Sequence, residues 1–88
     1  MIGFRPAARR QWRRLRKNVS RRTAQDIGLA IADLAKSPYP EGLEPIKSKE
    51  GLRRIRVGNY RVVYLVDDKA RHVTVTAVGD RKDIYRRL

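Results

Sequence analysis

The chain has 88 residues with 22 Lys and Arg against 9 Asp and Glu, a formal charge of +13, which suits one domain with a modest core and an anionic partner. It has no cysteine and a single histidine, His72, which excludes disulfides, thiolate metal sites, cysteine nucleophiles and any cluster of histidine ligands. No apolar run approaches the roughly 18 residues of a membrane span. Met1-Ile2-Gly3-Phe4 leads into arginines rather than into the apolar core of an export signal, so a cytoplasmic protein without membrane contact is expected.

Sixteen of the 22 basic residues are arginine. A guanidinium makes bidentate contacts to phosphate and stays charged when partly desolvated, whereas mere solubility is served as well by lysine. The composition therefore points to a polyanion, and the 41% hydrophobic content is enough to build a core rather than a disordered tail.

Residues 2 to 5 read as a short strand. From Arg5 to Arg22 there are eight arginines and Lys17 without one acid. Within this run Ala8, Trp12 and Leu15 recur at helical spacing, which predicts a helix from Pro6 to Lys17 with Pro6 tolerated in the first turn. The polar surface of that helix carries Arg9, Arg10, Arg13, Arg14, Arg16 and Lys17, a candidate docking surface for nucleic acid or any other anionic surface. Ser20 is a candidate N-cap for a second helix whose stripe is Ala24, Ile27, Ile31 and Leu34, stopped before Pro38 and Pro40. The short link around Asn18-Val19 predicts a helical hairpin, with both stripes turned to a common sheet.

Residues 37 to 51, with three prolines and two glycines, read as an irregular connector. The period then changes to two. Leu52, Arg54 and Arg56 alternate with Arg53, Ile55 and Val57; Gly58-Asn59 mark a turn; and Tyr60 to Val66 form the returning strand. Asp67-Asp68-Lys69 make a second turn. Residues 71 to 78 form a third strand with Val73, Val75 and Ala77 on one side and Thr74, Thr76 and Val78 on the other, ended by Gly79-Asp80. The expected fold is α+β, one domain over residues 1–88 in the order β-α-α-β-β-β. A three- to four-stranded antiparallel sheet is covered on one face by the N-terminal helical hairpin, and the other face stays open.

On that open face Arg54 and Arg56 share one strand and the hairpin brings Arg61 alongside. Same-face neighbours on a strand are about 7 Å apart and adjacent strands about 4.8 Å, so three arginines can converge on one or two phosphates. Like charges across a hairpin repel, and an arrangement that tolerates this suggests an anion between them. Arg81 follows the last strand, and Tyr85 lies four residues on among Arg86 and Arg87, suited to closing the core, to stacking on a base or to exchanging a proton.

Nucleotide-binding glycine motifs are absent, and the acids are too scattered in sequence to suggest a two-metal site, so no cofactor or metal is expected. RNA can be cut without one. Its 2′-hydroxyl attacks the adjacent phosphate, and the protein must align the two, neutralise the growing charge and move protons. Arginines suit the second task but are poor bases, which makes a tyrosine the natural candidate for the third.

The stretch Leu52-Arg53-Arg54-Ile55-Arg56-Val57-Gly58-Asn59-Tyr60-Arg61-Val62-Val63-Tyr64, with Val78-Gly79-Asp80-Arg81-Lys82-Asp83-Ile84-Tyr85, resembles the signature of the RelE/ParE toxin superfamily, within its RelE-like mRNA interferase branch. The resemblance spans nearly the whole chain. It implies the toxin of a type II toxin–antitoxin system, a metal-independent endoribonuclease that cuts mRNA in the ribosomal A site through the RNA 2′-hydroxyl. It implies as partners the ribosome, mRNA and a cognate, acidic antitoxin, with operator DNA bound only through the toxin–antitoxin complex. By the same resemblance Arg54 and Arg56 flank the scissile phosphate, Arg61 steadies the transition state, Arg81 assists the leaving group and Tyr85 stacks on the substrate base or transfers a proton. Arginine replaces the lysines of the best-known member at positions 54 and 56, which moves the general-base role toward Tyr85 or solvent. ParE-like members share the fold but inhibit DNA gyrase. That activity, and a non-catalytic nucleic-acid-binding module, are the alternatives, and the filled set of five positions favours RNA cleavage.

Overall fold

The computed structural model describes residues 1–46, 51–82 and 84. Its elements are β1 (Ile2–Phe4), α1 (Pro6–Asn18), α2 (Arg21–Lys36), β2 (Glu44–Pro45), β3 (Leu52–Val57), β4 (Tyr60–Asp67) and β5 (His72–Asp80). The α+β class, the two leading helices and the meander that follows agree with the sequence pattern. Pro6 opens α1 where its missing N–H has no intrahelical role. Ser20 caps α2, its hydroxyl accepting from the Thr23 N–H at 3.1 Å.

The sheet has five strands in the order β1-β5-β4-β3-β2, one or two more than the sequence suggested. The N-terminal segment joins β5 in parallel, with Ile2 beside Val73 and Phe4 beside Val75, so the sheet is mixed rather than wholly antiparallel. The reason is connectivity: α1 and α2 both intervene before the meander, and a crossover of that length lets a strand return in either direction. The second addition comes from the connector, where Glu44 and Pro45 pair with Arg54 and Arg53. Pro45, having no N–H to donate, is confined to such an edge.

A core forms between helices and sheet. Ala8 of α1 and Ile27, Ile31 and Leu34 of α2 pack with Ile55, Val62, Tyr64, Val73, Val75 and Val78, while Trp12, Leu15 and Val57 lie at its margin. Trp12 reaches across to Gly28, where an added β-carbon would meet the indole at 3.6 Å, an ordinary van der Waals contact, so the space there does not itself demand a glycine. Beyond the end of β1, the free Val78 N–H is taken by Gln11 Oε1 of α1 at 2.9 Å, a helix side chain completing the β5 edge.

One irregularity decides which side chains face where. Val63 pairs with Ala77 but the next residue, Tyr64, pairs with Val75, so Thr76 is an extra residue on β5. Its hydroxyl donates to the Val63 carbonyl at 3.3 Å. A β-bulge reverses the alternation beyond it. Ala77 therefore lies not with Val73 and Val75 but on the opposite face, and Val78 enters the main core. The strand also runs on through Gly79 and Asp80 instead of stopping before them.

Nor is the second face bare. Val63, Ala77 and Ile84 bury one another there, with Ile46 and Leu52 at the margin. Gly58 takes φ 62° at the first position of the β3–β4 turn, as in a type II′ hairpin.

Ile27 is fully buried and Leu29, two residues along α2, is 64% exposed. Ile27→Ala is expected to cost about 2–5 kcal/mol, and Leu29→Ala no more than about 0.5 kcal/mol. Urea denaturation of both variants tests which face of α2 carries the fold.

Candidate nucleic-acid interface

The hairpin between β3 and β4 builds the cationic end of the second sheet face. Arg56 stands directly across from Arg61, and Arg54 is across from Val63, one pair further along. Because side chains alternate, Arg54, Arg56 and Arg61 emerge on the side opposite the helices, with Leu52 and Val63 of the small apolar cluster beside them. Gly79 is the β5 partner of Arg61 and leaves the neighbouring position without a side chain. Arg81 follows at the end of β5, where its backbone N–H donates to the Asn59 carbonyl at 3.0 Å and ties that end to the β3–β4 turn.

The arginines differ sharply in environment. Arg61 is only 8% exposed. Its Nη1 donates to the carbonyls of Tyr60 at 3.1 Å and Gly58 at 3.4 Å, so the turn itself holds the guanidinium. Its Nε is buried and has no hydrogen-bond partner among the described residues. Burial lowers the Arg61 pKa, and the positive charges of Arg56, Arg54 and Arg81 lower it further, with Glu44 acting in the opposite sense. An arginine starts so far above neutrality that it remains protonated. The consequence is a fixed, partly desolvated positive charge among three others.

Glu44 is the residue that sequence reasoning missed. Paired in register with Arg54, it extends its carboxylate over the arginines. Arg54 Nη2 donates to Glu44 Oε2 at 2.6 Å, and Arg56 Nε lies 3.7 Å from Oε1. The hydrogen bond from Arg54, and then its charge, hold the Glu44 carboxyl below the ordinary carboxylate range. No signal in the sequence marked it, since Glu41 and Glu44 sit in the same proline-containing connector and only the two-residue pairing of β2 selects one.

The connector that carries Glu44 is anchored at its other end. Buried Tyr64 donates its hydroxyl to the Pro38 carbonyl at 3.0 Å, and burial raises its pKa. The Tyr39 hydroxyl meets both carboxylate oxygens of Asp68, at 2.7 and 2.8 Å, while Arg53 stacks on the Tyr39 ring 5.0 Å from its centre. Asp68 thus lies in an exposed turn, as its sequence context suggested, but serves as an anchor there.

The basic residues of α1 are all exposed and divide into two rows. Arg9, Arg13 and Arg16 flank Phe4 and Trp12, with Arg16 stacked on the indole at 5.6 Å. Arg10 and Arg14 line a different groove of about 490 Å³, whose far wall is Tyr60, Gly79, Asp80 and Ile84. That second row opens toward the end of β5 that bears Arg81, whereas the first faces away along the helix. Lys17 continues the Arg10–Arg14 row at helical spacing. Tyr85 lies outside the described residues.

A carboxylate whose pKa is depressed in the folded state adds stability above its unfolded pKa of about 4.3, and that contribution is lost as pH falls through the folded value. Glu44→Gln is therefore expected to lower the thermal midpoint at pH 7, with the gap from the parent closing as the pH falls below about 4. Calorimetry across that range checks it.

Comparison with known proteins places the chain in a family. A family model described as "ParE toxin of type II toxin-antitoxin system, parDE" matches residues 2–85. Toxin RelG of Mycobacterium tuberculosis is 34% identical over 86 residues, covering 98% of this chain and 95% of that one. Among solved structures, the RelB–RelE antitoxin–toxin complex of Methanococcus jannaschii contains a chain 26% identical with a TM-score of 0.70, covering 94% of both chains. A chain of the M. tuberculosis toxin–antitoxin complex RelBE2 is 25% identical with a TM-score of 0.71, covering 92% of this chain and 96% of that one. YafQ of Escherichia coli, at 15% identity, reaches a TM-score of 0.79 over 97% of each chain and shares the fold. With the family match running from β1 almost to the C-terminus and the curated relative covering nearly its full length, this chain belongs to the RelE/ParE superfamily of type II toxin–antitoxin toxins.

Proposed function

We propose that this toxin is a ribosome-dependent, metal-independent endoribonuclease that cuts mRNA in the A site by attack of the RNA 2′-hydroxyl on the adjacent phosphate. The observation that carries the reading is the convergence of Arg54, Arg56 and Arg61 on one sheet face with Arg81 at its rim. Attack of the 2′-oxygen breaks the bond from phosphorus to the 5′-oxygen and leaves a 2′,3′-cyclic phosphate and a 5′-hydroxyl. Negative charge builds on the phosphate oxygens as this happens. Fixed donors aimed at developing charge accelerate such a step most when they are pre-organised and partly desolvated. Arg61 fits that part: the turn carbonyls hold it, and little solvent screens it.

Arg54 and Arg56 are assigned to the two sides of the scissile phosphate. Arg81 is assigned to the leaving 5′-oxygen and Tyr85 to base stacking or proton transfer, both on the family resemblance alone. The exposed rows of α1, Arg9, Arg13 and Arg16 on one side and Arg10, Arg14 and Lys17 on the other, are assigned to ribosomal RNA, where basic residues supply affinity that falls steeply with salt. No helix among the described residues is long and apolar enough to cross a membrane, and the proposed site of action is the translating ribosome of the cytoplasm.

A cognate antitoxin is proposed as the controlling partner, since chains similar to this one are found in RelB–RelE complexes. At +13 the toxin favours an acidic one. Operator DNA would be met only through that complex. The gyrase inhibition that the family resemblance implies for ParE-like members is kept as a second reading, which needs a protein-binding surface rather than a phosphate site.

Toeprinting of a translated message with purified protein separates the two. Codon-position cuts that disappear without ribosomes are expected, while gyrase-dependent DNA breaks with intact mRNA would overturn the proposal. Arg61→Ala is expected to slow cleavage by about 10²- to 10³-fold, the scale of losing one pre-organised charge donor. Tyr85→Phe separates proton transfer, which it abolishes, from stacking, which it retains.

A further inference from the structure

The cationic face contains an anion of its own. Glu44 places one carboxylate oxygen on Arg54 at 2.6 Å and the other toward Arg56 at 3.7 Å, which is how two oxygens of a phosphodiester would be shared between the same two guanidinium groups. We propose that Glu44 is an internal stand-in for the substrate phosphate, occupying the space between Arg54 and Arg56 in the free toxin and leaving it when RNA enters. The proposal rests on reading this face as a phosphate site and adds how that site is kept when empty.

Three observations support an exchange. A carboxylate and a phosphodiester each carry one negative charge, so replacing one by the other leaves the charge balance of the arginine cluster unchanged. That balance matters here because Arg61 feels repulsion from Arg56, Arg54 and Arg81 and attraction from Glu44. The carboxylate can also leave cheaply: the Glu44 side chain is 43% exposed and the Arg56 side chain 61% exposed, so each can rotate into water.

The backbone, in contrast, is held in place. Tyr64 grips Pro38, Tyr39 grips Asp68, and the Ile46 N–H donates to the Leu52 carbonyl at 3.0 Å. Release is accordingly a side-chain rotation on a fixed edge strand, and the carboxylate remains tethered close by as a competitor. A tethered competitor acts at a high effective concentration. Free RNA in solution must displace it unaided, whereas a message already positioned on the ribosome is presented at a comparable local concentration. The expected result is discrimination against stray RNA by a protein whose charge otherwise favours any polyanion.

The test compares the parent chain, Glu44→Gln and, as a charge-matched control, Asp26→Asn on the exposed surface of α2. The probe is a single-stranded oligoribonucleotide with 2′-deoxy substitutions, which binds but cannot be cut, followed by fluorescence anisotropy at pH 7 and fixed salt. Glu44→Gln is expected to bind about three- to tenfold more tightly than the parent, the scale of one or two exposed ion pairs, and Asp26→Asn to stay within about twofold of it. In the parent, the carboxyl ¹³C resonance of Glu44 should titrate at a higher pH once the oligonucleotide is saturating, because Arg54 has been given up to the phosphate.

Equal affinities for the parent and Glu44→Gln, or a Glu44 resonance that ignores the oligonucleotide, would overturn the exchange. If Glu44→Gln still cut mRNA on ribosomes in that case, the exchange would fail and the proposed function would stand. Tighter binding by Glu44→Gln without ribosome-dependent cutting by the parent supports the exchange and removes the nuclease reading. If no variant binds the oligonucleotide, Glu44 is not what keeps RNA out and the exchange falls, while ribosome-dependent cutting in the toeprinting assay decides the proposed function separately.

Discussion

A buried guanidinium at the base of the β3–β4 hairpin is the constraint around which the functional end of this toxin is arranged. Among the described residues Arg61 is bonded not to a carboxylate but to the carbonyls of Gly58 and Tyr60, so its position is set by the turn. A charge taken from water in this way is costly unless something nearby compensates it. Arg54, Arg56 and Arg81 worsen the balance, and among the described residues Glu44 opposes them. On the proposed reading, the stability the site gives up makes it attractive to an anion, since an incoming phosphate relieves repulsion among these guanidinium groups.

The remainder of the domain serves to hold that hairpin still. The main core packs α1 and α2 on one side of β3, β4 and β5, leaving the alternate residues of β3 and β4 to carry the arginines on the other face. The bulge at Thr76 lets β5 contribute to both faces: Val73, Val75 and Val78 go to the helices, and Ala77 to the small cluster with Val63 and Ile84 that floors the second face. Arg61 and Val63 are neighbours on that face, so the cationic patch abuts an apolar one. A substrate offering both a phosphate and a base finds chemically different surfaces side by side, a disposition that suits nucleic acid better than a small inorganic anion.

The connector between α2 and β3 does more than close a loop. Its first turn is fastened by Tyr39 and Tyr64, and Glu44 and Pro45 within it form a two-residue edge strand, so that Glu44 comes to rest over Arg54. The division of α1 into two arginine rows is similar in kind. Residues that are adjacent in sequence point to different surroundings, Arg9 and Arg13 to Trp12 and Phe4, Arg10 and Arg14 to a groove bounded by Tyr60 and Asp80.

Much of this was legible in the amino-acid order. The helical stripe of Ala8, Trp12 and Leu15, the capping serine at 20, the alternation through Leu52–Val57 and the Gly58-Asn59 turn are local signals whose meaning does not depend on distant residues, and the structure contains each of them. They were sufficient to place Arg54, Arg56 and Arg61 on a common face opposite the helices. What only the tertiary structure decided depends on pairing between segments far apart in the chain: the parallel addition of β1 to β5, the register slip that sends Ala77 and Val78 to opposite faces, and the contact of Glu44 with Arg54. A period of two says which residues share a side but not which strand lies next to them, and an acid in a proline-containing connector acquires a role only when the connector finds its partner strand. The arginines were thus set by local pattern, and their counter-charge by long-range pairing.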